Sequence, residues 1–170
     1  MQETPQQYTK RILEHQQGKK PMEVLSTTPR KIARLLRGVS KRRLMTRSGR
    51  GKWSVAEILA HLADAEVVTG FRMRLILGSN GTPIQAFDQD VWAAYSHYGK
   101  HDPRLSFEAY RALRERNVSL LESLPGKMWK FYGMHSERGK ETITRMTEMA
   151  AGHDINHLMQ IQRLVRARKR

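Results

Sequence analysis

Gly152-His153-Asp154-Ile155-Asn156-His157-Leu158-Met159-Gln160-Ile161 is the stretch on which the reading of this 170-residue chain turns. Read as helix, it places His153 and His157 one above the other, because residues four apart share a helix face. The flanking sequence supports a helix: Ile143, Met146, Ala150, His157, Ile161 and Leu164 recur at the 3.6-residue period. Two imidazoles one turn apart can present their nitrogens to one metal ion, as helical metalloprotease motifs do. Two donors make a poor site by themselves. His61, on the apolar side of another strong helix, is the best candidate for a third.

That other helix is announced by Ser54, an N-cap residue, with Glu57 three positions on to complete a capping box. Val55, Ile58, Leu59, Leu62, Ala65, Val68, Met73, Ile76 and Leu77 give it a broad buried stripe, and Gly78 to Pro83 ends it. Before it, Thr28 as N-cap and Pro29 in the first turn predict a helix with Ile32, Leu35, Leu36 and Val39 on one face. After it, Ser106 is a candidate cap for a helix bearing Phe107, Tyr110, Leu113, Val118, Leu121 and Leu124. The last helix is expected from about Arg138 to Arg166, with Trp129, Phe131 and His135 in a loop before it. Tyr8, Ile12 and Leu13 suggest a short helix near the N-terminus, and Gln89–Ser96 another in the irregular region 84–104. No period-2 alternation and no internal repeat is visible. The expected fold is all-α, an antiparallel four-helix bundle with short extra helices, whose interhelical cleft suits a metal held by facing side chains. The domain reading is a polar segment 1–21, a bundle 22–166 and a basic tail 167–170.

Composition narrows the chemistry. There is no cysteine, which excludes disulfides, thiolate metal sites and a cysteine nucleophile. Met1 to Lys20 lacks the apolar run of a signal peptide, and no stretch approaches the ~20 apolar residues of a membrane span. A soluble, cytoplasmic protein is expected. The formal charge of +15 is unevenly placed. Residues 1–52 hold 14 basic residues against three acidic, residues 163–170 hold five against none, and 53–162 hold 12 against 13. Lys41-Arg42-Arg43 and Arg166-Ala167-Arg168-Lys169-Arg170 are candidate contacts for phosphate or anionic lipid. Few aromatics accompany them, and zinc-finger and RNA-binding signatures are absent, so nucleic-acid binding is the less favoured reading.

Two segments resemble a known family. Gly51-Lys52-Trp53-Ser54-Val55-Ala56-Glu57-Ile58-Leu59-Ala60-His61-Leu62-Ala63-Asp64-Ala65-Glu66 is similar to the second-helix signature of the DinB/YfiT-like superfamily, and Gly152 to Ile161 to its last-helix signature. Gly133-Met134-His135-Ser136-Glu137-Arg138-Gly139 resembles the loop before that helix, with Ser136 where members often carry proline. The resemblance covers roughly residues 22–165. It implies a bundle in up-down-down-up order, often a homodimer, and a divalent metal, commonly zinc or nickel, on one histidine of the second helix and two of the last. By position these are His61, His153 and His157. It further implies, as one activity among relatives, transfer of a low-molecular-weight thiol such as bacillithiol or mycothiol to small electrophiles.

Three neutral imidazoles with an open position match a catalytic rather than a closed structural site. Imidazole ligation suits zinc, nickel, copper or iron alike. A lone buried histidine is usually a hydrogen-bonded core residue; three on two apolar faces favour metal. Glu57 and Asp64 flank His61 and are candidates to orient its ring, although capping for Glu57 and solvation for Asp64 compete. Asp154 and Asn156 point off the histidine face, toward neighbouring helices. His135 is a candidate proton shuttle or fourth ligand at the cleft mouth, against the simpler reading of an exposed loop residue. Trp53, Trp92 and Tyr95 either line a pocket or belong to the core. No serine lies in a nucleophile-elbow context, so a Ser-His-Asp triad is unsupported. A non-catalytic metal-bearing scaffold and a basic anion-binding module stand as alternatives to the enzyme.

Overall fold

Helices dominate the structure, a computed structural model that describes residues 4–167. They are α1 (Pro5–Gln16), α2 (Pro21–Leu36), α3 (Lys41–Met45), α4 (Val55–Gly78), α5 (Gln89–Tyr95), α6 (Pro103–Glu122) and α7 (Ile143–Arg166). Three short strands, β1 (Pro83–Ile84), β2 (Tyr132–His135) and β3 (Gly139–Thr142), form one small sheet.

Two apolar clusters reveal how the long helices run. One gathers Leu25 of α2, Met73 and Ile76 of α4, Val118 and Leu121 of α6, and Ile143 and Met146 of α7. The other gathers Ile32 of α2, Ile58 and Leu59 of α4, Phe107 and Tyr110 of α6, and Ile161 of α7. The chain passes from the first cluster to the second along α2 and α7, and from the second to the first along α4 and α6. That order is up-down-down-up. Because α4 and α6 are parallel, the chain must return the length of α4, about 36 Å at 1.5 Å per residue, between them. Residues 79–102, carrying β1 and α5, make that return.

The helix starts obey local chemistry, with corrections. The Ser54 box forms as expected: its hydroxyl accepts from the Glu57 N–H at 3.3 Å, and the Glu57 carboxylate accepts from the Ser54 N–H at 2.8 Å. Thr28 does not cap α2. It is buried mid-helix, donating to the Val24 carbonyl at 2.8 Å, and Pro29 lies inside the helix rather than in its first turn. Proline has no N–H for the Leu25 carbonyl four residues back. Arg114 Nη1 donates to that carbonyl instead, at 3.2 Å. Ser106 does not cap α6 either. Asp102 does so, accepting from Arg104 and Leu105 N–H at 2.9 and 3.4 Å, with Pro103 in the first turn. α7 starts at Ile143 instead of Arg138, because residues 132–142 form a β-hairpin. In it Tyr132 pairs with Thr142 and His135 with Gly139, whose φ of 73° closes the turn. β1 adds to β2 in parallel.

α1 lies on α7. Ile12 is fully buried, and a Cβ on Gly152 would stand 2.0 Å from the Ile12 carbonyl oxygen, so only glycine permits this approach. Of the basic run after α2, Arg43 donates to the Leu164 carbonyl at 2.7 Å and to that of Ala167, and Lys41 pairs with Asp102 at 2.6 Å. Arg168, Lys169 and Arg170, the rest of the expected basic tail, lie outside the described residues. No helix among those described is long and apolar enough to cross a membrane.

Candidate metal centre

Between the two apolar clusters every long helix turns polar at the same height. α2 contributes Thr28, α4 His61 and Glu66, α6 Arg114 and Asn117, and α7 His153, Asp154 and His157; all are buried except His153, which is half-buried. Within this layer α4 and α7 point three imidazoles at one point. His61 Nε2 lies 2.9 Å from His153 Nε2, and His157 Nε2 lies 3.0 Å from the same atom. The ligand atoms of all three fall within 4.8 Å of one another.

The donor set fits a divalent ion. Burial, reinforced by the neighbouring His157, holds the His61 imidazole well below its ordinary pKa, and burial acts likewise on His153. Burial also pushes His157 down to about 4. All three are therefore neutral near pH 7, the form that ligates. His157 Nδ1–H donates to Gln160 Oε1 at 2.9 Å, which leaves the lone pair on Nε2, facing the other two rings. Without an ion, three convergent nitrogens repel wherever two lone pairs meet. Four ligands at the Zn–N distance of about 2.05 Å in a tetrahedron stand roughly 3.3 Å apart, close to the spacings here.

The rings are held by their surroundings. Trp53 packs against His61 with centroids 5.0 Å apart and also meets Tyr98 edge-on. His61 Nδ1 has no hydrogen-bond partner among the described residues. Glu57 does not orient it: it caps α4 and pairs with Arg47. Asp64 is not simply solvated, since it accepts a hydrogen bond from Tyr98, the fully buried residue that supports Trp53. Asp154 and Asn156 do bond neighbouring helices, to Arg114 of α6 and Arg11 of α1.

The sequence reading missed the charged centre of the layer. Arg114 donates to Glu66 at 2.7 Å, to Asp154 Oδ1 at 2.9 Å and to Asp154 Oδ2. Asn117 donates to the Glu66 backbone carbonyl and to its carboxylate, each at 3.0 Å. Their signal was available: Arg114 falls four residues after Tyr110 and four before Val118, and Glu66 four after Leu62, all on apolar stripes.

A cavity of about 630 Å³ opens beside the histidines, with His61 and His153 in its wall. α1 contributes Tyr8, α4 Arg72, the long return Phe87, and the hairpin His135, Glu137, Arg138 and Glu141. The volume is that of a small-molecule site. His135 is not an exposed loop residue: it sits in β2, 3% exposed, and lines this cavity without joining the three-histidine cluster. Trp92 packs on Phe87 at 5.0 Å, while Tyr95 is 82% exposed and is not among the residues that line this cavity.

Comparisons with known proteins place the fold and the family. The "Putative metal-dependent hydrolase YfiT" of Bacillus subtilis is 28% identical over 155 residues, which cover 89% of this chain and 85% of that protein. A "Putative metal-dependent hydrolase" of Oceanobacillus iheyensis is 28% identical over 137 residues, covering 80% and 78%. The solved structure of YfiT from Bacillus subtilis, titled as an unusual four-helix bundle topology, matches the fold with a TM-score of 0.75 at 22% identity, covering 94% of this chain and 88% of that one. The sequence model of the DinB superfamily matches residues 25–161, from within α2 to within α7 and including the three histidines, and the chain belongs to that superfamily.

Proposed function

We propose that this chain is a divalent-metal-dependent enzyme in which His61, His153 and His157 hold the ion, and that it transfers a low-molecular-weight thiol to a small electrophile. The observation that carries the reading is the convergence of three Nε2 atoms beside a 630 Å³ cavity. A bound ion would supply Lewis acidity, lowering the pKa of a thiol or water that binds it. The chain's own residues do the rest. Gln160 fixes the His157 tautomer, and Trp53 backs the His61 ring. The cavity wall, with Arg72, His135 and Glu141, orients the organic parts of the substrates. Zinc and nickel, two of the ions the ligand set suits, are the ones the family resemblance favours, and a homodimer is part of the same reading.

Hydrolysis is the second reading, favoured by the names of the relatives. Water in place of the thiol would serve the same geometry. One experiment separates them: untagged protein loaded with zinc or nickel is given cysteine or another small thiol with 1-chloro-2,4-dinitrobenzene, and separately an activated ester without thiol. Metal-dependent thiol consumption supports transfer, metal-dependent ester cleavage supports hydrolysis, and loss of both in His157→Ala ties either to the site. Absence of both with the ion bound leaves a metal-bearing scaffold.

A further inference from the structure

Three residues of the cavity wall, His61, His135 and Glu141, each hold a buried polar atom with no partner among the described residues, and the hairpin brings the last two to one side. Gly133 pairs with Glu141 and His135 with Gly139, so His135 and Glu141 share a face of the β2–β3 ladder, two positions apart. Each is 3% exposed, and both line the cavity that holds His61 and His153. His135 Nδ1 accepts from the Glu137 backbone N–H at 3.1 Å, which requires a lone pair there and places the proton on Nε2. That Nε2–H donor meets no acceptor among the described residues. Glu141 spends Oε1 on Arg138 Nε at 3.1 Å and leaves Oε2 as an acceptor without a donor.

Unpaired buried polar atoms are costly and uncommon, and two on one cavity wall point to a group that arrives with the ligand. The group must accept from His135 and donate to Glu141. On the hairpin side of the cavity Arg72 and Arg138 are matched by Glu137 and Glu141, so a group bound there need carry no charge of its own. Neither atom is reached by solvent, inside the cavity or outside it, so a ligand meets them only once the ring and the carboxylate turn about their terminal torsions, whose wells are broad.

We infer that His135 and Glu141 form a recognition subsite for a neutral secondary amide, its carbonyl oxygen accepting from His135 Nε2–H and its N–H donating to Glu141 Oε2. The inference rests on reading the cavity as a substrate site, but it does not depend on the ion. In the proposed reaction the amide belongs to the thiol or the electrophile, and the subsite orients it relative to the three histidines.

The test uses the full chain, uniformly labelled with nitrogen-15, in EDTA and again with added zinc. The His135 ring signals are assigned by their loss in His135→Gln. N-Methylacetamide is titrated in parallel with methyl acetate, the ester that keeps the carbonyl and lacks the N–H. A saturable shift of the His135 Nε2 signal is expected with the amide, with affinity about ten-fold or more weaker for the ester, since a site built around a hydrogen bond rejects the analogue lacking it. Glu141→Leu should abolish the preference; should that variant not fold, the amide–ester comparison in the native chain decides. Equal response to both probes, or none at saturating fragment, overturns the subsite and leaves the two atoms to an ordered water. Amide binding in EDTA alongside failure to bind zinc would keep the subsite and remove the proposed metal chemistry; the opposite result would do the reverse.

Discussion

Arg114→Met is the substitution whose outcome the structure constrains most tightly. Arg114 is 4% exposed and donates to Glu66, to both oxygens of Asp154 and to the Leu25 carbonyl that Pro29 cannot serve. Methionine fills much of the volume and satisfies none of these acceptors. Two carboxylates are then left buried without their cation, with Asn117 still bonded to one of them. Removing one partner from a buried ion pair costs about 3–5 kcal/mol, far more than a surface pair, whose median is about 0–1. At roughly 2–4 °C per kcal/mol for a chain this long, the melting temperature should fall by about 6–20 °C. Urea denaturation in EDTA measures the loss free of any metal contribution. Its pH dependence checks the cause. Burial already pushes the Asp154 carboxyl up, with Arg114 opposing, so without Arg114 it rises further and takes a proton on acidification. The deficit against the native chain should therefore be larger at pH 7 than at pH 5. Replacing all three charges together (Arg114→Met, Glu66→Leu, Asp154→Leu) should recover most of the loss, because no uncompensated charge remains. A cost below about 1 kcal/mol for Arg114→Met alone would refute the account of this layer.

Other outcomes follow from the same coordinates. Gly152→Ala forces a methyl toward the Ile12 carbonyl, so α1 must separate from α7; the expected loss is about 1–3 kcal/mol, and hydrogen exchange should quicken first along Pro5–Gln16. His135 and His157 are held down to about 4, chiefly by burial, against 6.5 in the unfolded chain. Above pH 6.5 they add no pH dependence; as pH falls from 6.5 toward 4 the unfolded chain takes up protons the folded one refuses, and stability drops by about 1 kcal/mol per pH unit for each. Urea titrations in EDTA between pH 6.5 and 5 should show a slope reduced by that amount in His135→Gln, and an unchanged slope would contradict it.

What could be read from the residues was whatever is encoded locally. The Ser54–Glu57 box, the apolar stripe of α4 and the His153–His157 spacing are contained within one or two helical turns, and the structure reproduces each. Asp102 outcompeted Ser106 as a cap through a proline at the next position, a signal that was present and passed over. Pro29 misled because its tolerance inside α2 depends on Arg114, 89 positions beyond Leu25, taking the carbonyl it abandons. The hairpin strands, Tyr132–His135 and Gly139–Thr142, are four residues each, too short for alternation to stand out from an apolar loop. The partners of Arg114 come from two other helices, so even a suspicious arginine on an apolar stripe does not name them.

The central claim is that three imidazoles from α4 and α7 hold one divalent ion, and elemental analysis of untagged protein, with zinc and nickel titrations of the EDTA-treated chain, tests it most directly. One ion per chain is expected in the native protein, with affinity falling by orders of magnitude in His61→Ala, His153→Ala and His157→Ala while helical content persists. A native chain that is folded yet binds neither zinc nor nickel, or a His61→Ala variant that binds as tightly as the native protein, would contradict it.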